Sequence, residues 1–283
     1  MMSSLSYNPL VSVVMSIHNA PLDMLKHSIA CILNQTVKDI EFIIVDDRNS
    51  IEVQEYLRKI CQKDTRTHVI QNSKNIGLTK SLLKGIKHAR GRYIARQDID
   101  DISKPTRLEK QVEYFEACKS VVLLGTWYEV IDEQGVVTKK SSPNQNDLLQ
   151  KDLYLRNPFC HASVMFRKSS YFEVGGYDLR YTTSQDLDLW FKLLRVGEIG
   201  IIEEFLVERQ VRYGSITSRK AWLQVRNGFL VRLRYFNNGS ILKNLSKIFI
   251  ATLFHAYMTC IGNSIKMNRC VMTKNRSIRR VFW

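Results

Sequence analysis

Residues 93–105 read YIARQDIDDISKP, an apolar, aromatic-led segment that runs into three carboxylates within four positions. At neutral pH, Asp98, Asp100 and Asp101 repel one another unless a cation sits among them or water solvates them as an acidic turn. Asp98 and Asp100 flank Ile99, so on an extended chain they share a face, about 7 Å apart. Asp101 points the other way and is expected to hold the loop or cap the next segment. Hard divalent cations such as Mg²⁺ or Mn²⁺ favour oxygen ligands, often one or two carboxylates with substrate phosphates beside them. What these acids serve depends on the element that delivers them.

The sequence on the N-terminal side supplies that element. LVSVVMSI (10–17) is a β-branched run of strand length, followed by the turn signal HNAP. LDMLKHSIACILNQ (22–35) has helical spacing, with Leu22, Leu25, Ile29, Ile32 and Leu33 on one face. IEFIIVDD (40–47) is a buried-type strand ending in two carboxylates, and IEVQEYLRKICQK, THVIQN and LTKSLLKGIKHA read as helix, strand and helix. GRYIARQD is then a fourth strand. Alternation of this kind implies βαβ crossovers, an α/β fold and a parallel sheet with helices on both faces. Such sheets bind ligands beyond the carboxyl ends of their strands. Polar groups stand at three of those ends: Ser16, His18 and Asn19; Asp46 and Asp47; Asp98 and Asp100.

The C-terminal side is more mixed. PTRLEKQVEYFEAC (105–118) reads as helix, SVVLLGTWYEVIDEQGVV as strand, turn, strand, and NQNDLLQKDLYLRN as helix. ASVMFRKSSYFEVGGY gives a strand and a helix closed by Gly-Gly. SQDLDLWFKLLRVG is an amphipathic helix with Ser184 as the expected N-cap. Asp186 and Asp188 lie two apart and do not share a helix face, so one of them is expected to face a cleft.

With 283 residues and 45% hydrophobic content, the chain suits one large domain or a domain with an appendage. The N-terminus has no basic flank before its apolar run, so no signal peptide is expected. Cys31, Cys61, Cys118, Cys160, Cys260 and Cys270 form no CxxC pair and no zinc spacing, which reads as reduced thiols. The net charge of +15 is unevenly placed: residues 1–208 carry 27 basic and 27 acidic residues, whereas 209–283 carry 15 basic residues and no carboxylate. A boundary near 215–220 follows, giving a domain at 1–217, with halves meeting near 104, and a basic, amphipathic helical tail at 218–283.

In order, VSVVMSIHNAP, ILNQTVKDIEFIIVDDRNS, NIGLTKSLLKGIKHARGRYIARQDIDDISKPTRLEKQ, NPFCHASVMFRKSSYFEVGGYD and SQDLDLW resemble the family 2 inverting glycosyltransferases. The resemblance covers roughly residues 10–217 and is strongest to bacterial enzymes of lipopolysaccharide, O-antigen or capsule synthesis. It implies a GT-A fold, Rossmann-like, with a mostly parallel sheet. It implies a nucleotide-sugar donor, a UDP-sugar by preference, and a glycan or lipid-linked acceptor. Ser16 and His18 would line the nucleotide pocket, Asp47 would meet the base, Asp98 the ribose, and Asp100 a Mn²⁺ or Mg²⁺ ion on the diphosphate. Asp186 would be the catalytic base of a single displacement giving a β-linkage, and an anionic side chain suits that helix N-terminus. His161, Trp190 and Arg212 are candidate acceptor or phosphate contacts, although His161 reads equally as a core residue and Trp190 reads more readily as one. Three positions depart from the family pattern: Gln185 replaces a usual Glu, Leu83 a frequent Asn, and Arg212 a frequent His.

The tail alternates basic and apolar residues. Its run IFIATLFHAYMTCIG (248–262) is short for a span and suits an interfacial helix. Basic residues near anionic lipid gain roughly 1 kcal/mol each, so peripheral binding to the inner face of the cytoplasmic membrane is expected. A tail packed on the domain is the other reading. No nucleic-acid motif accompanies the basic residues, so no nucleic-acid partner is expected. An inactive transferase-fold adaptor and a sugar nucleotidyltransferase are the competing functions. The latter would need a Gly-rich, Arg-containing phosphate loop that SIHNAP does not supply. No P-loop, HExxH or GxSxG occurs.

Overall fold

The computed structural model describes residues 8–132, 134–143, 148–210 and 220–235. Arg212 and the apolar run 248–262 lie outside them. Two compact units divide the chain, residues 1–153 with 157–212, and residues 154–156 with 213–283. Among the described residues no helix is long and apolar enough to cross a membrane.

The first unit begins with the alternation the sequence implies: β1 (Val11–Ile17), α1 (Leu22–Leu33), β2 (Ile40–Asp46), α2 (Ile51–Lys63), β3 (Thr67–Gln71), α3 (Leu78–His88) and β4 (Tyr93–Arg96). There follow β5 (Asp101–Ser103), α4 (Arg107–Ala117), β6 (Val121–Ile131), β7 (Val137–Ser141) and α5 (Leu148–Leu155), which runs into the second unit. A 3₁₀ turn (His161–Ser163), β8 (Met165–Arg167), α6 (Lys168–Glu173), α7 (Gln185–Leu193) and β9 (Glu198–Gln210) complete the unit. In the second unit α8 (Ala221–Arg234) is described, and the Tyr154 hydroxyl donates to the Tyr235 carbonyl at 3.1 Å.

The sheet runs β3-β2-β1-β4-β8-β6-β9-β5, with β7 on β6. Its first four strands are parallel. β8 joins them antiparallel to β4, and β6 and β9 continue as a parallel pair. The chain steps from β1 outward to β2 and β3, then returns to lay β4 on the other side of β1. That reversal makes the carboxyl ends of β1 and β4 a switch point, where open α/β sheets leave a crevice.

Strand alternation sets the two faces. Val11, Val13, Met15 and Ile17 share a core with Leu25 and Ile29 of α1, Leu57 of α2 and Phe115 of α4. Val14 points the opposite way, to α3. There Gly85 allows a close approach: a Cβ at that position would lie 2.8 Å from Val14 Cγ1 and 3.0 Å from Val45 Cγ2.

The acidic stretch departs from the extended form expected of it. β4 ends at Arg96, residues 99–100 turn, and the chain resumes as β5, antiparallel to β9. Gln97 enforces the turn, because its side-chain amide donates to the carbonyls of Asp98 (3.0 Å) and Asp101 (2.6 Å).

Gly→Ala in an exposed helix gains about 1 kcal/mol. At Gly85 the contact with Val14 and Val45 is expected to reverse that sign, with Gly85→Ala losing about 1–3 kcal/mol. Urea denaturation reads this as a lower midpoint at unchanged slope.

Candidate active site

Polar cross-links tie the carboxyl ends of β1 and β2 together. Asn49 Nδ2 donates to the Ile17 carbonyl (3.0 Å) and to Asp46 Oδ1 (2.6 Å), while its Oδ1 accepts from the Ala20 amide (2.8 Å). Ser16 is half-buried and His18 exposed. His18 Nδ1 donates to the Asp47 carbonyl at 2.8 Å, and its Nε2 accepts from the Asn75 amide at 2.7 Å. Asp47 is only 2% exposed. Its Oδ1 accepts from the Asn72 side chain (2.9 Å) and the Ile76 amide (2.8 Å), and its Oδ2 from the Gly77 amide (2.8 Å). Gly77, at φ +85°, starts α3 with a backbone that side chains rarely adopt. Asp47 therefore holds the loop 72–77 in place.

At the end of β4 the central group is Arg96, whose side chain is fully buried. Its Nη2 donates to Asp98 Oδ1 at 2.6 Å, its Nη1 to the Val14 and Gln97 carbonyls, and its Nε to His161 Nε2 at 3.3 Å. A second buried arginine lies close by: Arg107 donates to the Arg96 carbonyl (2.8 Å), the Ala162 carbonyl (2.7 Å) and Ser103 Oγ (2.7 Å). Burial, the largest influence, lowers the Arg107 pKa to about 10, so it stays cationic at neutral pH.

The three acids are physically distinct. Burial acts to raise Asp98, but Arg96, then His161 and Arg209, outweigh it and hold its carboxyl below the ordinary value. Asp101 is buried, and burial followed by the charges of Asp100 and Asp98 drives its carboxyl well above the usual range. Asp100 is half-buried beside Arg209, which stands opposite Asp101 in the β5–β9 register. The cations opposing these acids thus include two arginines of the chain itself.

From the other half of the unit, α7 brings Asp186, half-buried, its Oδ2 accepting from Asn157 Nδ2 at 2.8 Å. Asp188 turns inward, fully buried, and pairs with Lys192 at 2.8 Å. Ser184 stands at the N-cap position, but at φ +61° it makes no side-chain cap. A cap needs extended backbone there, so the expected capping hydrogen bond is not formed. Asn19, Arg48 and Ser184 are the non-glycine residues of positive φ among those described, and each flanks one of these strand ends or α7. Backbone strain of this kind gathers at working sites.

His161 lies where the two halves converge. Its Nε2 faces Arg96 Nε and the Tyr177 hydroxyl (2.7 Å). An arginine Nε–H can only donate, so Nε2 accepts and the ring proton sits on Nδ1. Burial and then the Arg96 charge push the His161 pKa down to about 4, against the opposing pull of Asp186 and Asp98. His161 is a neutral donor, not a proton reservoir. Trp190 is fully buried, edge-on to Phe159 (5.8 Å) and His161 (5.9 Å), and offers an acceptor no surface. The base contact expected at Asp47 likewise meets a carboxylate already engaged from within.

Sequence reasoning passed over Arg96, Arg107, Arg209, Asn49, Asn157 and Tyr177. The one available signal was the arginine in YIARQD, inside an otherwise apolar strand.

A mixed sheet with its reversal at β1/β4, acids at that end and a further acid delivered by a helix make up the kind of open α/β architecture that binds ligands beyond its strand ends. The chain belongs to glycosyl transferase family 2, whose pattern it matches over residues 12–176. It is 40% identical over 207 residues to an uncharacterized glycosyltransferase of Methanocaldococcus jannaschii, covering 72% of this chain and 71% of that protein. It is 32% identical over 193 residues to the O-antigen biosynthesis glycosyltransferase WbnJ of Escherichia coli (68% and 74%). Two solved structures share the GT-A fold at low identity. S. aureus TarS 1–349 with UDP-GlcNAc has TM-score 0.65 and 16% identity, covering 88% of this chain and 72% of that one. A Pyrobaculum calidifontis mannosyltransferase with GDP-Man and Mn²⁺ has TM-score 0.65 and 13% identity (96% and 81%).

The His161 pKa has a consequence for stability. Between pH 6.5 and about 4 the unfolded chain takes up a proton that folded His161 refuses, so its contribution is lost as pH falls through that window. Asp101 acts in the opposite sense above 3.8, equally in wild type and variant. His161→Gln is therefore expected to lose less stability than wild type between pH 7 and 4.5, read from urea midpoints at the two pH values.

Proposed function

We infer that the protein transfers a sugar from a nucleoside-diphosphate donor, a UDP-sugar by preference, to a hydroxyl of a glycan or lipid-linked saccharide. The transfer inverts the anomeric centre and moves a hexosyl or N-acetylhexosaminyl unit in surface-polysaccharide synthesis. The observation that supports this most is the convergence of Asp98 and Asp186 on His161, from the end of β4 and the start of α7. An acid suited to the donor side and an acid suited to the acceptor side thereby act on one imidazole, and Arg96 joins the first of them to it directly. The O-antigen relative and the UDP-GlcNAc-bound structure support the substrate class.

Asp186 is the general base. Asn157 fixes its Oδ2, leaving Oδ1 to take the acceptor proton as the hydroxyl attacks the anomeric carbon. Ser16 and His18 wall the nucleotide pocket, and Asp47 shapes it through the loop that His18 and Asn75 complete. Asp98 is held ionised by Arg96 and oriented toward the ribose. His161 presents its Nδ1–H as a neutral donor to phosphate or acceptor. Arg212 is an additional candidate cation for the diphosphate.

A divalent ion suits the donor set. Among the described residues no three His, Cys, Asp or Glu side chains gather as a metal cage. Half-buried Asp100, with Asp98 beside it, fits the pattern in which one or two carboxylates and the substrate phosphates share the ion. Mn²⁺ or Mg²⁺ bound there would stabilise charge on the leaving diphosphate.

Asp186→Asn is expected to lower transfer about 10²- to 10⁴-fold while UDP still binds. Asp100→Asn is expected to abolish Mn²⁺-dependent nucleotide binding measured by calorimetry. Screening UDP-GlcNAc, UDP-hexoses and GDP-Man for donor hydrolysis, with and without Mn²⁺, tests the donor. Wild-type turnover by Asp186→Asn would remove the base assignment.

A further inference from the structure

Helix α8 carries a face that the transfer chemistry leaves unused. Its exposed positions include Trp222, Arg226, Leu230 and Arg234, spaced i, i+4, i+8 and i+12, so they form one slowly turning stripe. Trp222 is 75% exposed and Leu230 40% exposed, while Val225 and Val231 are buried. The helix thus already has a buried apolar side, and the stripe is a second apolar surface left in water. Basic residues alternate with it. Lys220, Arg226, Arg232 and Arg234 fall within or beside the helix, and residues 209–283 contain 15 Lys and Arg without one Asp or Glu.

An occupant of this stripe must be apolar and anionic together, and must accept a convex helix face. The interface of an anionic bilayer meets all three demands. Its acyl boundary takes tryptophan and leucine, and its headgroup phosphates take arginine. Tryptophan, with an apolar body and one N–H, belongs at that depth. A nucleic acid would satisfy the arginines and leave Leu230 unexplained.

We propose that the Trp222–Arg226–Leu230–Arg234 face of α8 seats the protein on an anionic lipid surface. The proposal stands apart from the catalytic reading, since α8 carries no residue of the crevice. The test is co-sedimentation of the full chain with vesicles of phosphatidylglycerol and phosphatidylcholine, and with phosphatidylcholine alone. Wild type should bind the mixed vesicles, release with rising salt, and bind phosphatidylcholine weakly. Trp222→Ser with Arg226→Glu should lower partitioning to the anionic vesicles roughly tenfold or more, because it removes the inserted ring and reverses one charge. Unchanged donor hydrolysis, with an unchanged melting curve, would show that the variant is folded. Equal binding by wild type and variant would overturn the proposal, as would failure of wild type to bind anionic vesicles. A wild-type dimer that the variant converts to monomer would reassign the face to self-association. A duplex DNA probe that displaces the vesicles, and is itself lost in the variant, would reassign it to nucleic acid.

Discussion

A guanidinium enclosed in a sheet is tolerable only when its N–H groups are matched, because an unmatched buried charge costs several kcal/mol. Arg96 meets this condition with two carbonyls, one imidazole nitrogen and one carboxylate oxygen. Each partner is thereby fixed in turn. Asp98 cannot swing away without leaving the charge half-matched, and His161 cannot carry a proton on the nitrogen that faces it. The Val14 carbonyl belongs to β1, which is paired on both sides, so the arrangement is referenced to the interior of the sheet. The Arg107 guanidinium braces the Arg96 carbonyl in turn through Nη2, although its own buried Nε–H meets no acceptor among the described residues.

The strand–helix alternation was legible because its signals are local. β-branched runs, helical spacing and turn residues in the first hundred positions placed seven elements in the right order. The expectation of a site at the strand ends followed from topology alone. The rest depends on contacts remote in sequence. The turn within DIDD depends on Gln97 reaching two carbonyls, and nothing in its neighbours announces that. β9 is long but interrupted by Glu203 and Glu204, which obscure its alternation. Whether a histidine, tryptophan or aspartate is exposed cannot be read from its neighbours either. Hence Trp190 and Asp47, both plausible as contacts on paper, proved to be buried. The buried arginines were least legible of all, since positive charge in a sequence ordinarily marks a surface.

The two acid-bearing halves are built differently. The half that ends at β4 is braced by cross-links between adjacent strand ends, chiefly Asn49 and Asp47. The half that carries α7 is tied differently: Asn157 to Asp186, Tyr177 to His161, and a left-handed Ser184 that starts α7 without a side-chain cap. A helix begun this way is positioned by its buried face, with Leu187, Leu189, Trp190 and Phe191 in the core, more than by its first turn.

That asymmetry bears on how such a chain can change its trade. Because Asn49 knots the β1 and β2 ends together, that end of the sheet is held by contacts of its own. Residues 174–184, between α6 and α7, take no part in strand pairing, so substitutions there leave the sheet's register intact. Variation in that segment would leave the knot at the β1 and β2 ends untouched.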